Sequence, residues 1–437
     1  MSHTQTIDID SLLHKDGVHR RVYTDPDIFD LEMDRLWHRT WIYVGHESQV
    51  KNPGDYFATT IGRQPVILVR HKDGAIHVLY NRCAHKGAEL VGDTSGCVKA
   101  FRCGYHGWRF DTDGTLLTIP LEDGYKNTGF CRGNPDVNVQ KVPRYASYRG
   151  FVFASLSPQG PDLKTWLGGV ASSIDNMVER APEGELEITG GVLRYVHDSN
   201  WKFFVENLND LMHPMVTHQS SSQTARIVAR RLMAKDDQVP WAVEIFSPFS
   251  NKYSFFEEMG LHAFAHGHSY SGGKISIHSA YSDIPGYVEA LEEAYGTDKT
   301  LEIFSENRHN TVFYPSATIK GPIQTMRVVK PLAVDKTLIE SWTFRLKGAP
   351  EAMTQRSILY CTLINSSANL VGPDDYEVYH RLQQGLQAEG ADWVSMHRHM
   401  GEETVSADGT IEAEGTNDIV FRNQFKAWKH YMTAEGG

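Results

Sequence analysis

The stretch that decides the fold runs from Asn81 to Phe110, "NRCAHKGAELVGDTSGCVKAFRCGYHGWRF". Cys83 and His85 stand two positions apart, and Cys103 and His106 three. Each short loop therefore offers one thiolate and one imidazole. Gly87, Gly104 and Gly107 accompany them, so backbone can come close to whatever the loops hold. Two such pairs on one short stretch read as a metal site. The five cysteines (83, 97, 103, 131 and 361) are an odd and small number, which argues against a disulfide framework and for that reading. Cys97 falls between the loops at no ligand spacing and reads as a small buried residue.

Two thiolates and two imidazoles can hold zinc tetrahedrally. They can also hold a [2Fe–2S] cluster, with both cysteines on one iron and both histidines on the other. Zinc fingers keep like ligands together, whereas here each loop contributes one of each, which suits a two-iron cluster with unlike ends. Tyr105, Trp108 and Phe110 can cover such a cluster away from its histidine edge. On these residues, and on "CGYHGWRF" above all, the stretch resembles the Rieske motif. The resemblance implies a [2Fe–2S] cluster held by Cys83, His85, Cys103 and His106, carrying one electron at a time.

Working outward, short β-rich runs surround the loops: "QPVILVR", "AIHVLYN", "VKAFRC", "GTLLTIP" and "GFVFASL", separated by "KDG", "TDG" and "SPQG". A small all-β domain is expected over residues 42–158. Before it, "DIFDLEMDRLWHRTW" (27–41) spaces Phe29, Leu31, Met33, Leu36 and Trp37 for an amphipathic helix, with Asp25 or Asp27 near its start. This 1–41 segment is expected to pack on a second domain, 159–437. There "LEITGGVLRYVHDSNWKFF" reads as a strand entering a helix, and 310–348 as antiparallel strands. "GPDDYEVYHRLQQGLQAEG" reads as a helix start, with Pro373 in its first turn. The fold class is α+β: a small β domain plus a larger domain with an antiparallel sheet flanked by helices.

The second chemistry-bearing stretch is "NWKFFVENLNDLMHPMVTH", residues 200–218. Asp210 and His213 would share a helix face. His213 and His218 are five apart, and Pro214 follows His213 directly, so the helix must break or widen to bring both imidazoles together. Alone, they read as ordinary histidines near a helix end. A one-electron carrier in the same chain needs a destination, however, and two histidines with one carboxylate form the facial triad of non-haem Fe(II) oxygenases. "HAFAHGHSYSGG" also gathers His262, His266 and His268, but no acid or cysteine completes a site there, and it reads as a loop or pocket lining.

Together, the paired loops, "NWK…ENxxDxxHxxxxH" and "GPDDYE" resemble the Rieske non-haem iron oxygenases. Within these, they resemble the catalytic α subunits of aromatic-ring-hydroxylating dioxygenases, over about residues 28–390. The resemblance implies that His213, His218 and Asp375 hold a mononuclear Fe(II), with Asp374 the competing third ligand. It implies that Asp210 accepts hydrogen bonds from His213 and from a neighbouring subunit's cluster histidine, His106, and that Asn207 lines the iron pocket. The implied reaction uses O2 and electrons to hydroxylate an aromatic ring, commonly to a cis-dihydrodiol; monooxygenation or demethylation is the competing outcome. "PDDYE" and "ESQV…GDYFATTIGRQPVILVR" look closest to members acting on aromatic acids of benzoate, anthranilate, salicylate, terephthalate or indole-acetate type. Arg226, Arg230, Arg308 and Arg327 are then candidates for the substrate carboxylate. The resemblance further implies a trimer of α subunits, with a small β subunit giving α3β3.

No glycine-rich stretch has nucleotide-loop spacing, so a separate NAD(P)H-dependent flavin reductase is expected, with or without a ferredoxin between. A net charge of −11 argues against nucleic acid. No apolar run or leader pattern suggests a membrane span or export, so a cytoplasmic protein is expected. Two rivals remain: a Rieske electron carrier with an inert second domain, and a zinc-stabilised binding module.

Overall fold

A computed structural model describes residues 7–277 and 283–434. Among these residues, contacts form two compact units: one joins the described residues before Trp37 to those after Leu163, and the other is Trp37–Leu163. Among the described residues, no helix is long and apolar enough to cross a membrane.

The Trp37–Leu163 unit is built from short antiparallel strands. One sheet orders Ile76–Tyr80, Gln64–Arg70, Asp55–Ile61 and Ser95–Cys97; another orders Phe101–Arg102, Arg109–Phe110 and Leu116–Thr118. Its core contains Ile67, Val69 and Leu79 together with Cys83, Cys103 and Trp108, so the ligand loops grow directly from packed strands. Cys97 departs from expectation. It lies exposed at the end of an edge strand whose three residues all face solvent.

The larger unit centres on a nine-stranded antiparallel sheet. Leu186–His197 forms one edge and pairs with Lys336–Leu346; next come Thr325–Ala333, Ala317–Lys320 and Asn307–Phe313. Helices flank the sheet. The motif "NWK" explains how the site-bearing helix Trp201–Asn207 is held against it. Asn200 caps the helix by accepting from the Lys202 N–H, and its amide donates to Tyr23 and Val334 carbonyls. Trp201 and Lys202 both reach the buried Glu32 carboxylate, at 2.9 and 2.6 Å. Trp428, from the C-terminal helix Ile419–Thr433, donates to the same carboxylate at 2.7 Å. One buried acid thus ties three helical segments together and fixes the axis on which the site depends.

The expected 27–41 helix is shorter. It runs Pro26–Glu32 behind an Asp25 cap and then widens into a π-turn over Met33–Trp37. Met33, Leu36 and Trp37, spaced to share one helix face, are all buried in this segment.

Candidate metal centres and pocket

Two centres emerge, one in each unit. In the first, the two loops share one backbone design. Cys83 N–H donates to the Ala88 carbonyl and Gly87 N–H to the Cys83 carbonyl; Cys103 N–H donates to Trp108 and Gly107 N–H to Cys103. Each is a turn opened by a cysteine and closed five residues on, with a glycine at positive φ in fifth place, +79° at Gly87 and +72° at Gly107. A side chain is strained in that conformation, which accounts for glycine in both loops. Asn81 pins the first loop by accepting from the Leu90 and Val91 N–H groups.

Both cysteines are free and buried, and the rings of His85 and His106 lie 4.7 Å apart. The Nδ1 atom of His85 is buried without a hydrogen-bond partner. A buried imidazole nitrogen left over beside two buried thiols is what a metal–sulfur group requires of its cradle. Trp108 stacks on His85 at 4.7 Å and Phe110 is fully buried, as cover for the cluster. Tyr105 is 67% exposed and lies outside that cover. Among the described residues, the sets whose ligand atoms all fall within 4.8 Å are His213, His218 and Asp375, and His71, Asp111 and Asp113. The four loop residues form no such single-ion set, so their arrangement fits a two-iron cluster better than one tetrahedral zinc.

The second centre answers the question of the five-residue spacing. The helix does break: Trp201–Asn207 ends, Asp210 N–H returns to the Asn207 carbonyl, and a one-turn helix, Pro214–Thr217, begins behind His213. Pro214 takes the first position of that turn, where its missing N–H costs nothing. His213 and His218 stand at its two ends, and their rings come within 5.5 Å. Asp375 enters from the helix Val371–Gly385. Its Oδ1 lies 3.7 Å from His213 Nε2 and 3.3 Å from His218 Nε2. Asn207 Nδ2 stands 3.2 Å from both Asp375 Oδ1 and His213 Nε2, so these acceptors face one point.

The outer nitrogen of each imidazole also meets a carboxylate. Asp210 Oδ2 is 3.7 Å from His213 Nδ1, and Asp374 Oδ2 is 3.2 Å from His218 Nδ1. At 3.2 Å Asp374 is within hydrogen-bond reach and fixes the tautomer that presents His218 Nε2 as a ligand; at 3.7 Å Asp210 makes an ion-pair contact with His213 Nδ1 but no hydrogen bond. Burial works to raise the Asp375 carboxyl, but the His218 hydrogen bond and charge, His213 and Asn207 hold it below the usual carboxylate value. Asp210 is held low in the same way, against burial, by His213 and by the Met212 and His213 N–H groups. The donor set fits a divalent iron, with two neutral imidazoles and one carboxylate on one side.

These residues line a pocket with about 420 Å³ of empty space, counting that open to solvent. Leu208, Leu211, Phe249 and Ile364 form apolar wall, and His309, Asn310, Lys320 and Arg327 add polar groups from adjacent strands. Asn207, Asp210, His213, His218 and Asp375 all gather there. Lys320 and His309 are absent from the sequence expectations. Nothing local marks them: His309 sits in the largely polar strand Asn307–Phe313 and Lys320 ends the strand Ala317–Lys320, and only the sheet's packing buries both. The His262/His266/His268 stretch lines no part of this pocket: His268 is a core histidine that accepts from the Tyr314 N–H and bonds the Trp166 carbonyl.

Residues 40–143 match the Rieske [2Fe-2S] domain, and residues 186–407 match the ring hydroxylating alpha subunit (catalytic domain). The chain is 32% identical over 401 residues to the toluate 1,2-dioxygenase subunit alpha of Pseudomonas putida, covering 89% of this chain and 84% of that one. It is 30% identical over 387 residues to the 2-halobenzoate 1,2-dioxygenase large subunit of Burkholderia cepacia, covering 87% and 79%. A naphthalene 1,2-dioxygenase from Rhodococcus sp. solved with indole shares the fold, with TM-score 0.79 at 24% identity over 96% of this chain and 95% of that one. With both centres in place and both domains matched, the chain belongs to the α subunits of ring-hydroxylating dioxygenases, oxidoreductases that join a Rieske [2Fe–2S] domain to a catalytic domain with a mononuclear iron site.

Proposed function

We propose that this subunit is the terminal oxygenase for cis-dihydroxylation of an aromatic carboxylic acid. The carrying observation is the convergence of His213, His218 and Asp375 on one wall of a pocket that also has an apolar wall, each imidazole facing an acid of its own. Relatives named for toluate and halobenzoate support the acid class. The overall change is arene plus O2, two electrons and two protons to the diol. When bound, the cluster delivers electrons singly and the iron provides the redox chemistry that activates O2.

The chain's own residues do the rest. His213, His218 and Asp375 hold the iron; Asp374 orients His218 instead of competing as a ligand. Asn207 orients Asp375. Asp210 orients His213 and, in an assembled trimer, takes the hydrogen bond of a neighbouring subunit's His106. The apolar wall seats the ring and excludes water. Electrons come from a separate NAD(P)H-dependent flavin reductase in the cytoplasm, directly or through a ferredoxin. The names of the relatives, "large subunit" and "subunit alpha", support a second, small β subunit, which an α3β3 assembly would pair with each α subunit.

Metal and sulfide analysis of anaerobically purified protein tests the reading, followed by oxygen uptake and product analysis with benzoate, salicylate and terephthalate. About three irons and two sulfides per chain, with diol formation, are expected. Two irons after Fe(II) reconstitution, with no ring oxidation, would leave an electron carrier. Phenol or a demethylated product without diol would favour the monooxygenase alternative.

A further inference from the structure

One wall of the iron pocket carries two basic side chains that no carboxylate pairs with directly. Lys320 closes the strand Ala317–Lys320 and is 4% exposed. Its ammonium donates to Tyr360 Oη at 2.9 Å and to His309 Nε2 at 3.1 Å, neither of them an anion. Arg327, on the adjacent strand opposite Thr318, donates to Asn310 Oδ1 at 3.0 Å and lies over the Phe204 ring. Among the described residues, neither cation has a carboxylate oxygen within 4.0 Å. Both line the pocket that holds His213, His218 and Asp375.

A buried lysine beside a half-buried arginine, with no carboxylate paired to either, is a costly arrangement that well-packed apolar side chains would improve on. Burial, and then the charge of Arg327, push Lys320 well below the usual lysine value, with Asp375 alone pulling the other way. An anion arriving from outside relieves that cost and gains charge-assisted hydrogen bonds, the guanidinium offering a fork that matches a carboxylate. The apolar wall of Leu208, Leu211, Phe249 and Ile364 calls for a flat hydrocarbon. A ring bearing a carboxylate satisfies both.

We propose that Lys320 and Arg327 form the carboxylate-binding end of the pocket and make the enzyme selective for aromatic acids over neutral arenes. The proposal rests on the dioxygenase reading above and names the part of that site which selects substrate. It also separates the four candidate arginines. Arg226 donates to the Ser250 carbonyl, Arg308 is engaged by Ser172, Ser173 and Glu306, and Arg230 is exposed on the helix Gln219–Met233; none of them lines the pocket.

The test is calorimetric binding to the full-length holoenzyme, anaerobic and without reductant so that no turnover occurs. The probes are benzoate, terephthalate and indole-3-acetate, each paired with its neutral amide. At least one acid is expected to bind about tenfold or more tightly than its amide. Lys320→Met and Arg327→Gln should each remove about tenfold or more of that acid's affinity and leave the amide's nearly unchanged. Because Lys320→Met removes a buried cation, its ligand-free melting temperature should hold or rise, and the acid-dependent rise seen in the parent should vanish. Equal binding of acids and amides, equal weakening of both in the variants, or silence from all three acids at millimolar concentration would overturn the proposal. Turnover with the reductase separates the two readings. Charge-dependent acid binding without ring oxidation would keep the anchor and remove the dioxygenase. Diols formed equally well from benzoate and toluene would keep the dioxygenase and remove the anchor.

Discussion

All four proposed cluster ligands lie between Cys83 and His106, on two loops of one small unit, each closed by the same pair of backbone hydrogen bonds. The proposed iron triad takes two histidines from either end of a single helical turn and a carboxylate from a helix far downstream, Asp375 lying 168 positions from Asn207. Support differs as well. The cysteines are held by backbone and hydrophobic core, whereas each triad imidazole leans on a carboxylate of its own. The cluster loops are a local device that a short sequence can specify. The iron site exists only when distant segments dock, so it depends on the packing around Glu32 and on charges that must be placed one by one.

The largest effect should come from breaking the local device. Cys103→Ser should abolish cluster assembly, with inorganic sulfide and the reduced Rieske signal both lost and turnover at background. A variant that retained sulfide and signal would show that Cys103 is no ligand. Asp375→Ala comes next. It should lose the mononuclear iron and the turnover while sulfide content and the cluster signal stay intact, because its carboxylate contacts lie wholly within the other unit. Loss of the cluster in that variant would mean that the two centres are not separable in the way their construction implies.

The next prediction sharpens the comparison inside the iron site. Asp210→Asn and Asp374→Asn each remove a charge from behind one imidazole, and each should weaken iron affinity by about 10–100-fold, as such outer partners generally do. Titration of apo-protein with Fe(II) reads the affinity. Turnover at saturating Fe(II) then separates the two acids. Asp374→Asn should recover most activity once iron is restored, whereas Asp210→Asn should stay slow if Asp210 also receives a neighbouring subunit's His106. Full recovery of both variants would leave Asp210 an orienting residue and nothing more.

How much of this was legible in the sequence follows the same division. The cluster loops could be read from residue spacing because all their determinants are local. Pro214 announced the break that brings His213 and His218 together, but not its form, a single turn with a histidine at each end. The pairing of Asp375 with these histidines came from resemblance alone, since nothing local links the two segments. Asp374 illustrates the cost: the resemblance left it as a rival ligand, while the fold turns it toward the outer nitrogen of His218. Lys320 went unread because a lysine at the end of a strand normally signals solvent, and only the sheet's packing buries it.

Cys97 carries the smallest expected effect, and it bears on what separates a ligand cysteine from a bystander. Burial was expected from its residue type, yet it ends an exposed edge strand, with the Pro53 carbonyl 3.9 Å from its sulfur and the Asp55 side chain beside it. The ligand cysteines differ from it in both respects: each opens a hydrogen-bonded turn, and each lies in the core. Cys97→Ser should therefore leave iron, sulfide, melting temperature and turnover where they are, and thiol labelling of the apo-protein should reach Cys97 before Cys83 or Cys103. A drop in sulfide content on this substitution would mean that the loops depend on the edge strand between them, and that the cluster device is less local than its hydrogen bonding implies.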